Sequence, residues 1–200
     1  MRCRLVGSEM CIRDRGDNPA EKSTAIAFDK STLNTGDGSD QISINANAYG
    51  SGVLEAYGAT NTTINTDDFF SPGGDDYISI SASTGNWGED DFEKKSSAIA
   101  FDKSTLNTGD GNDQINLNAN ATGAETYAYG ALDSIINTGA GNDDLHINAN
   151  TNDNTNWDPA IGLSNTLVDL GAGADSLHLS ANANGSGVLE AYGATNTTIN

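Results

Sequence analysis

After residue 15 the chain contains no arginine, no cysteine and no methionine. Proline occurs 3 times, and 9 Lys plus Arg face 28 Asp plus Glu, a formal net charge of -19. So few cations against so many anions exclude a general nucleic-acid binder and a binder of anionic membranes. No run approaches the ~20 consecutive apolar residues of a membrane helix, so no insertion of that kind is expected. Leu, Ile, Val and Phe together supply 36 of 200 residues. With this net charge, such a share is the composition of a disordered chain. Two counts point the other way: charged residues are only 18% and glycines number 23. A chain with little to bury can still fold if cations neutralise its excess charge.

The first fifteen residues, MRCRLVGSEMCIRDR, differ from the rest. They hold all four Arg, both Cys (Cys3 and Cys11) and both Met. From Gly16 onward there are five Lys against 26 acids. Leu5-Val6 followed by Gly-Ser-Glu does not make the apolar core of a secretory signal. The run LVGSEMCIRDR, Leu5 to Arg15, resembles the translated read-through of a transposase adaptor used in preparing sequencing libraries. Residues 1–15 are therefore expected to be non-native and disordered, and 16–200 to form the folded unit.

That unit is a repeat. A ten-residue phrase recurs six times: AIAFDKSTLN from Ala25, AYGATNTTIN from Ala56, AIAFDKSTLN from Ala98, AYGALDSIIN from Ala128, AIGLSNTLVD from Ala160 and AYGATNTTIN from Ala191. The spacings are 31, 42, 30, 32 and 31 residues. After each of the first five comes a Gly-rich acidic turn and then an alternating apolar segment. The second copy carries about five extra residues near Asp67–Ser71, and its outgoing loop near Trp87 is longer. SGVLEAYGATNTTIN at Ser51 recurs at Ser186, and the sequence stops in mid-unit. A fragment of a longer protein, truncated after about six coils, is expected.

Period-2 patterning identifies the architecture. In QISINA, Ile42, Ile44 and Ala46 alternate with Ser43 and Asn45, the pattern of a strand buried on one face. Ile78 and Ile80, Ile115 and Leu117, Leu145 and Ile147, and Leu177 and Leu179 repeat it. A second short strand ends the phrase, with Leu33, Ile64, Leu106, Ile136 and Val168 inward. Short strands, a Gly turn and a loop in ~31 residues predict an all-β fold, a parallel β-helix or β-roll-like solenoid. Successive coils then stack ~4.8 Å apart, and each apolar column becomes a continuous core. No segment has the i, i+3, i+4 spacing of a helical repeat.

The turns carry the chemistry. They read TGDGSDQIS from Thr35, SPGGDDYIS from Ser71, TGDGNDQIN from Thr108, TGAGNDDLH from Thr138 and LGAGADSLH from Leu170. Gly36 and Gly38, Gly109 and Gly111, Gly139 and Gly141, Gly171 and Gly173 permit positive φ, as Gly73 and Gly74 do in the second turn. The sixth position is always Asp: Asp40, Asp76, Asp113, Asp143 and Asp175. Each begins a strand, so its carboxylate is expected to face the loop. These turns resemble the nonapeptide GGxGxDxUx of the RTX, or hemolysin-type, calcium-binding repeats, most fully at Thr35–Ser43, Thr108–Asn116 and Thr138–His146. The resemblance implies Ca2+ held by the five sixth-position Asp, with Asp37, Asp75 and Asp110 as further carboxylates. It departs from the family in having one turn per ~31 residues, so a column with at most four sandwiched sites follows. Calcium takes six to eight oxygens, which stacked carbonyls and carboxylates can supply. Asp stacked every ~4.8 Å without a counter-ion would repel by roughly a few kcal/mol per step.

The expected function is a calcium-binding structural or adhesive module, extracellular or at a bacterial cell surface, folding or stabilised by Ca2+, and not an enzyme. Carbohydrate or other cell-surface material is a further candidate partner, with Tyr57, Tyr129 and Tyr192 along one edge. Two alternatives stay open: a metal-independent adhesin stalk, and a polysaccharide-active β-helix enzyme, which the absence of Arg after residue 15 disfavours. Asn34, Asn107 and Asn137 are read as a side-chain ladder, and Glu89-Asp90-Asp91 with Lys94-Lys95 as a solvated loop. His146 and His178 are read as an exposed pair on the solvent face, giving zinc or copper little support.

Overall fold

Alternating Ile and Ser or Asn makes strands, and the chain returns each strand to the same place one coil later. In the computed structural model, residues 22–67, 73–86, 95–123, 125–153, 157–186 and 188–200 are described, with the backbone of strand 8–16; the side chains of 153, 157 and 158 are excepted. The first coil holds β1 (Ser8–Gly16), β2 (Lys22–Asp29) and β3 (Thr32–Asn34). The second holds β4 (Gln41–Gly50), β5 (Val53–Thr60) and β6 (Thr63–Asn65). The third holds β7 (Tyr77–Asn86), β8 (Ser96–Asp102) and β9 (Thr105–Asn107). The fourth holds β10 (Gln114–Gly123), β11 (Thr126–Leu132) and β12 (Ile135–Asn137). The fifth holds β13 (Asp144–Asp153), β14 (Trp157–Ser164) and β15 (Leu167–Asp169), and the sixth β16 (Ser176–Asn184), β17 (Val188–Thr195) and β18 (Thr198–Ile199).

Each coil contributes one strand to each of three six-stranded sheets, ordered β1-β4-β7-β10-β13-β16, β2-β5-β8-β11-β14-β17 and β3-β6-β9-β12-β15-β18. All pairings are parallel. The all-β parallel solenoid expected from the repeat is therefore the fold. Phase is kept across the 42-residue spacing: Ile64 sits against Leu106 as Leu33 sits against Ile64. The strands on either side of the extra residues stay in register.

The core is a set of columns. Ile42, Ile78, Ile115 and Leu145 form one; Ile64, Leu106, Ile136 and Val168 form another, all with no exposed surface. A third column alternates in size: Phe28, Ala59, Phe101, Ala131, Leu163, Ala194. Coils repeat every ~4.8 Å, and a large ring in each would crowd its neighbours. A small residue above and below each large one removes the clash, which is why the phrases AIAFDKSTLN and AYGATNTTIN alternate.

The second corner of each coil has its own device. Lys30, Asn61, Lys103, Asp133, Asn165 and Asn196 all have φ between 46 and 51, the left-handed region. A Ser or Thr follows every one. In this position Ser104 donates its hydroxyl to the Asp102 carbonyl at 2.6 Å and Ser134 donates to that of Leu132 at 2.7 Å. Their oxygens accept the corner amides of the preceding coil: Thr62 N–H donates to Ser104 Oγ at 3.0 Å, and Ser104 N–H to Ser134 Oγ at 3.1 Å. The buried corner hydroxyls thus satisfy the turn.

Ser8–Arg15, from the segment expected to be non-native and disordered, forms β1 together with Gly16, paired along its length with β4. The physical reason is that an open β-edge offers backbone donors and acceptors to any extended segment, whatever its side chains. Trp87, Asp68–Ser71, Glu89-Asp90-Asp91 and Lys94 lie outside the described residues.

The size alternation is testable by denaturant melts. Phe101→Ala should cost about 3–5 kcal/mol by leaving a cavity. Ala131→Phe, which places a third ring between Phe101 and Leu163, should cost about 1–3 kcal/mol by overpacking. An Ala131→Phe chain as stable as the parent would mean that the column has room and that the alternation is not a packing device.

Candidate functional site

The five acidic turns stack along one edge, between the short-strand sheet and the sheet that begins with β1. Gly139 shows why the sequence needs glycine there. Its φ is 91, and a Cβ would run into the carbonyl oxygen of Gly109 in the coil before. Gly109 and Gly171 have the same sign of φ at the same step. Ala140 N–H donates to that Gly109 carbonyl at 3.1 Å, and Ala172 N–H to Gly139 O at 2.9 Å.

The sixth-position aspartates form one column. Asp76, Asp113 and Asp143 are 2%, 1% and 2% exposed, and the Oδ1 atoms of Asp113 and Asp175 lie beside Gly111 and Gly173 of their own turns, so the carboxylates are enclosed against the loop. Their Oδ1 atoms link the coils. Asp40 N–H donates to Asp76 Oδ1 at 2.8 Å, Asp76 N–H to Asp113 Oδ1 at 2.9 Å, Asp113 N–H to Asp143 Oδ1 at 2.9 Å, and Asp143 N–H to Asp175 Oδ1 at 3.1 Å. The carboxylates are held there because each coil presents its neighbour with an amide that no strand ladder reaches.

Half of each carboxylate remains without a partner. Oδ2 of Asp40, Asp76, Asp113 and Asp143 is buried and accepts no hydrogen bond. Burial pushes the Asp113 carboxyl up to about 6, with the charges of Asp76 and Asp143 adding to it. Burial also raises Asp76, helped by Asp67 and Asp40, and raises Asp143, helped by Asp175. The hydroxyls of Thr66, Thr108 and Thr138 beside these groups pull the other way. Each hydroxyl has one proton, however, and it also faces a carbonyl of the next coil. Thr66 Oγ1 is 3.2 Å from Thr108 O, Thr108 Oγ1 is 3.0 Å from Thr138 O, and Thr138 Oγ1 is 2.9 Å from Leu170 O. A proton committed to the carbonyl is not available to the carboxylate.

The other predicted carboxylates stay apart. Asp37, Asp75 and Asp110 are exposed. Ala140 and then Ala172 take the place of Asp110 in the next two coils, so the outer charge of Asp37, Asp67 and Asp110 does not continue past the third turn. Asp75 Oδ1 accepts from both the amide and the side chain of Asn112, at 2.7 and 3.0 Å. Asn112 Oδ1 then accepts from Asn142 in the same two ways, at 3.0 and 3.1 Å. Of the predicted Asn ladder, Asn34 and Asn107 are joined through Asn65, which the sequence reading left out: Asn65 Nδ2 donates to Asn34 Oδ1 and Asn107 Nδ2 to Asn65 Oδ1, both at 2.8 Å. Tyr57, Tyr129 and Tyr192 share one column with Ile26, Ile99 and Ile161.

Sequence reasoning missed Asp67. In the third turn Asp110 N–H donates to Asp67 Oδ2 at 3.0 Å, where the next two coils use a backbone carbonyl. Here a side-chain oxygen does what a main-chain oxygen does in the later coils. Burial raises the Asp67 carboxyl, and nearby Asp110 and Asp37 add to this. The only signal was an Asp directly after the Thr that opens the turn.

The shifts fix a sign. A carboxyl raised in the fold binds protons more readily there than in the unfolded chain. Stability is then fully present below the unfolded value near 4 and is lost as pH rises through the folded value. For Asp113 the loss between pH 4 and pH 7 is on the order of 3 kcal/mol. In chelator, the melting temperature should be higher at pH 4.5 than at pH 7.5. The opposite order would mean that the column holds ionised carboxylates comfortably without a cation.

Comparison with family models, with curated proteins and with solved structures finds no match for this chain. Any function has to be argued from the chemistry of the columns.

Proposed function

We propose that the chain is a structural or adhesive repeat rod, extracellular or at a bacterial cell surface, whose stacked turn carboxylates are neutralised by Ca2+. One observation supports this reading above others: four buried Oδ2 atoms in a single column, each without a partner. A buried anion stays ionised only if paired or coordinated. The donor set is all oxygen, which suits calcium and not a softer metal. The ~4.8 Å repeat between coils is also about twice a calcium–oxygen distance. Asp40, Asp76, Asp113 and Asp143 would hold the ion through Oδ2, with carbonyl and water oxygens completing the shell. Calcium would supply positive charge between coils, and the residues of this chain would supply the stacking. The RTX-like turn sequences agree with this reading. Extracellular calcium modules bind at about 10⁻⁴–10⁻³ M, so each ~10⁻⁴ M site would add on the order of 1.4 kcal/mol at millimolar calcium.

A metal-independent rod is the second reading, and the Oδ1-to-amide links favour it because they need no ion. Asp113→Asn separates the two. The asparagine keeps an oxygen for the Asp76 amide and brings an N–H2 to the flanking Oδ2 atoms. In chelator at pH 7.5 it should raise stability by about 1–3 kcal/mol, since hydrogen bonds to charged groups form and a charge is lost. In millimolar calcium the order should reverse, with a higher calcium midpoint than the parent. Thermal melts of both chains across a calcium series measure this. A parent whose melting temperature ignores calcium would establish the metal-independent rod.

A further inference from the structure

On the outer face of the β1-containing sheet, amides stack on amides. Asn148 Nδ2 donates to Asn118 Oδ1 at 2.9 Å, Asn150 Nδ2 to Asn120 Oδ1 at 2.9 Å, and Asn182 Nδ2 to Asn150 Oδ1 at 2.8 Å. Each amide has a donor for the coil below and an acceptor for the coil above. One column breaks the rule. His146 and His178 occupy matching positions on β13 and β16, and their rings stack 4.5 Å apart at 18°. Ring nitrogens lie in the ring planes, so face-to-face imidazoles cannot hydrogen-bond to each other along the stack.

The nitrogens are engaged sideways instead. His146 Nε2 lies 2.9 Å from Asp144 Oδ2, and His178 Nε2 lies 2.9 Å from Ser176 Oγ. An ionised carboxylate only accepts, so His146 Nε2 carries the proton and Nδ1 keeps the lone pair. This contact holds His146 beside Asp144, and a metal ion between the two would take the place of the Nε2 proton. Ligand atoms of Asp144, His146 and His178 all come within 4.8 Å of one another. Asp144 has a further oxygen, Oδ1, that is enclosed and has no hydrogen-bond partner.

We propose that Asp144, His146 and His178 form a surface site for one borderline divalent transition-metal ion such as Zn2+. Two imidazole nitrogens and the carboxylate supply protein ligands, and water completes the shell. Imidazole suits Zn2+, Ni2+ and Cu2+, whereas calcium and magnesium favour oxygen, so the site selects a different ion from the aspartate column. The rings must turn toward a shared ion. The side chain of His146 is 34% exposed and His178 is exposed, so that rotation moves no core residue. The inference rests on the stacking of β13 and β16 and not on calcium binding.

The test is calorimetric titration of Zn2+ into the full chain in millimolar calcium, with Cys3 and Cys11 replaced by Ser to remove competing thiols. One Zn2+ per chain is expected. His146→Ala and His178→Ala should each weaken it by at least about tenfold, the scale set by losing even a supporting group. Asn116→Ala, beside His146 on the preceding coil, should leave it unchanged. These are the only two histidines. Substoichiometric Cu2+ should therefore broaden both sets of imidazole proton signals, a readout independent of fold stability. His178→Gln serves if the alanine variant does not fold. Zinc binding that survives both histidine variants, or copper that leaves the imidazole signals sharp, overturns the proposal.

Discussion

Parallel in-register stacking places every side chain against the equivalent position one coil away, so each group must be compatible with whatever that position carries, often a copy of itself. Apolar residues meet this condition by simple contact, and the columns of Ile42, Ile78 and Ile115 or of Ile64, Leu106 and Ile136 are the result. Amides meet it by carrying a donor and an acceptor, as in Asn34, Asn65 and Asn107. Hydroxyls meet it at the second corner, where Ser104 and Ser134 donate within the coil and accept from the coil before. Carboxylates do not, because they have acceptors alone.

The aspartate column is a partial solution to that mismatch. A backbone amide of the preceding coil supplies a donor for Oδ1, which removes half of the deficit. No second amide is within reach of Oδ2, and the remaining deficit appears as a raised carboxyl at Asp113. A proton or a cation can fill the gap; the two differ in which pH they favour. The outer positions avoid the conflict by composition. Asp110 has Ala140 as its next neighbour, and Asp75 has Asn112. Charge is diluted where the sequence is free to vary from coil to coil, and kept where an amide needs it.

Much of this was readable in the sequence because it depends on period. Alternation in QISINA identified buried faces, and the spacing of the ten-residue phrase identified coils. The Gly-Asp turns pointed to one column of five aspartates. Features set by direction or by local backbone were not readable. The enclosure of Asp113 goes with a donor in another coil, 37 residues away at Asp76. The left-handed corner is occupied by Lys, Asn or Asp with no glycine to mark it, and its regularity lies in the φ values and the hydroxyl that follows. Asp67 takes with its side chain the amide that a carbonyl takes in the later coils, which no motif describes.

The same condition explains why two kinds of column in this molecule draw on something outside the protein. Carboxylate stacked on carboxylate lacks positive charge. Imidazole stacked on imidazole, with Nε2 held sideways by Asp144 in one coil and Ser176 in the other, leaves ring nitrogens that no neighbour in the stack can reach. Both deficits arise from repetition itself: duplicating a coil duplicates its unsatisfied atoms in line. Amide, hydroxyl and aliphatic columns close on themselves and extend without limit. Acidic and imidazole columns add an open valence with every coil, so in a repeat rod they are where ions have the strongest physical reason to bind.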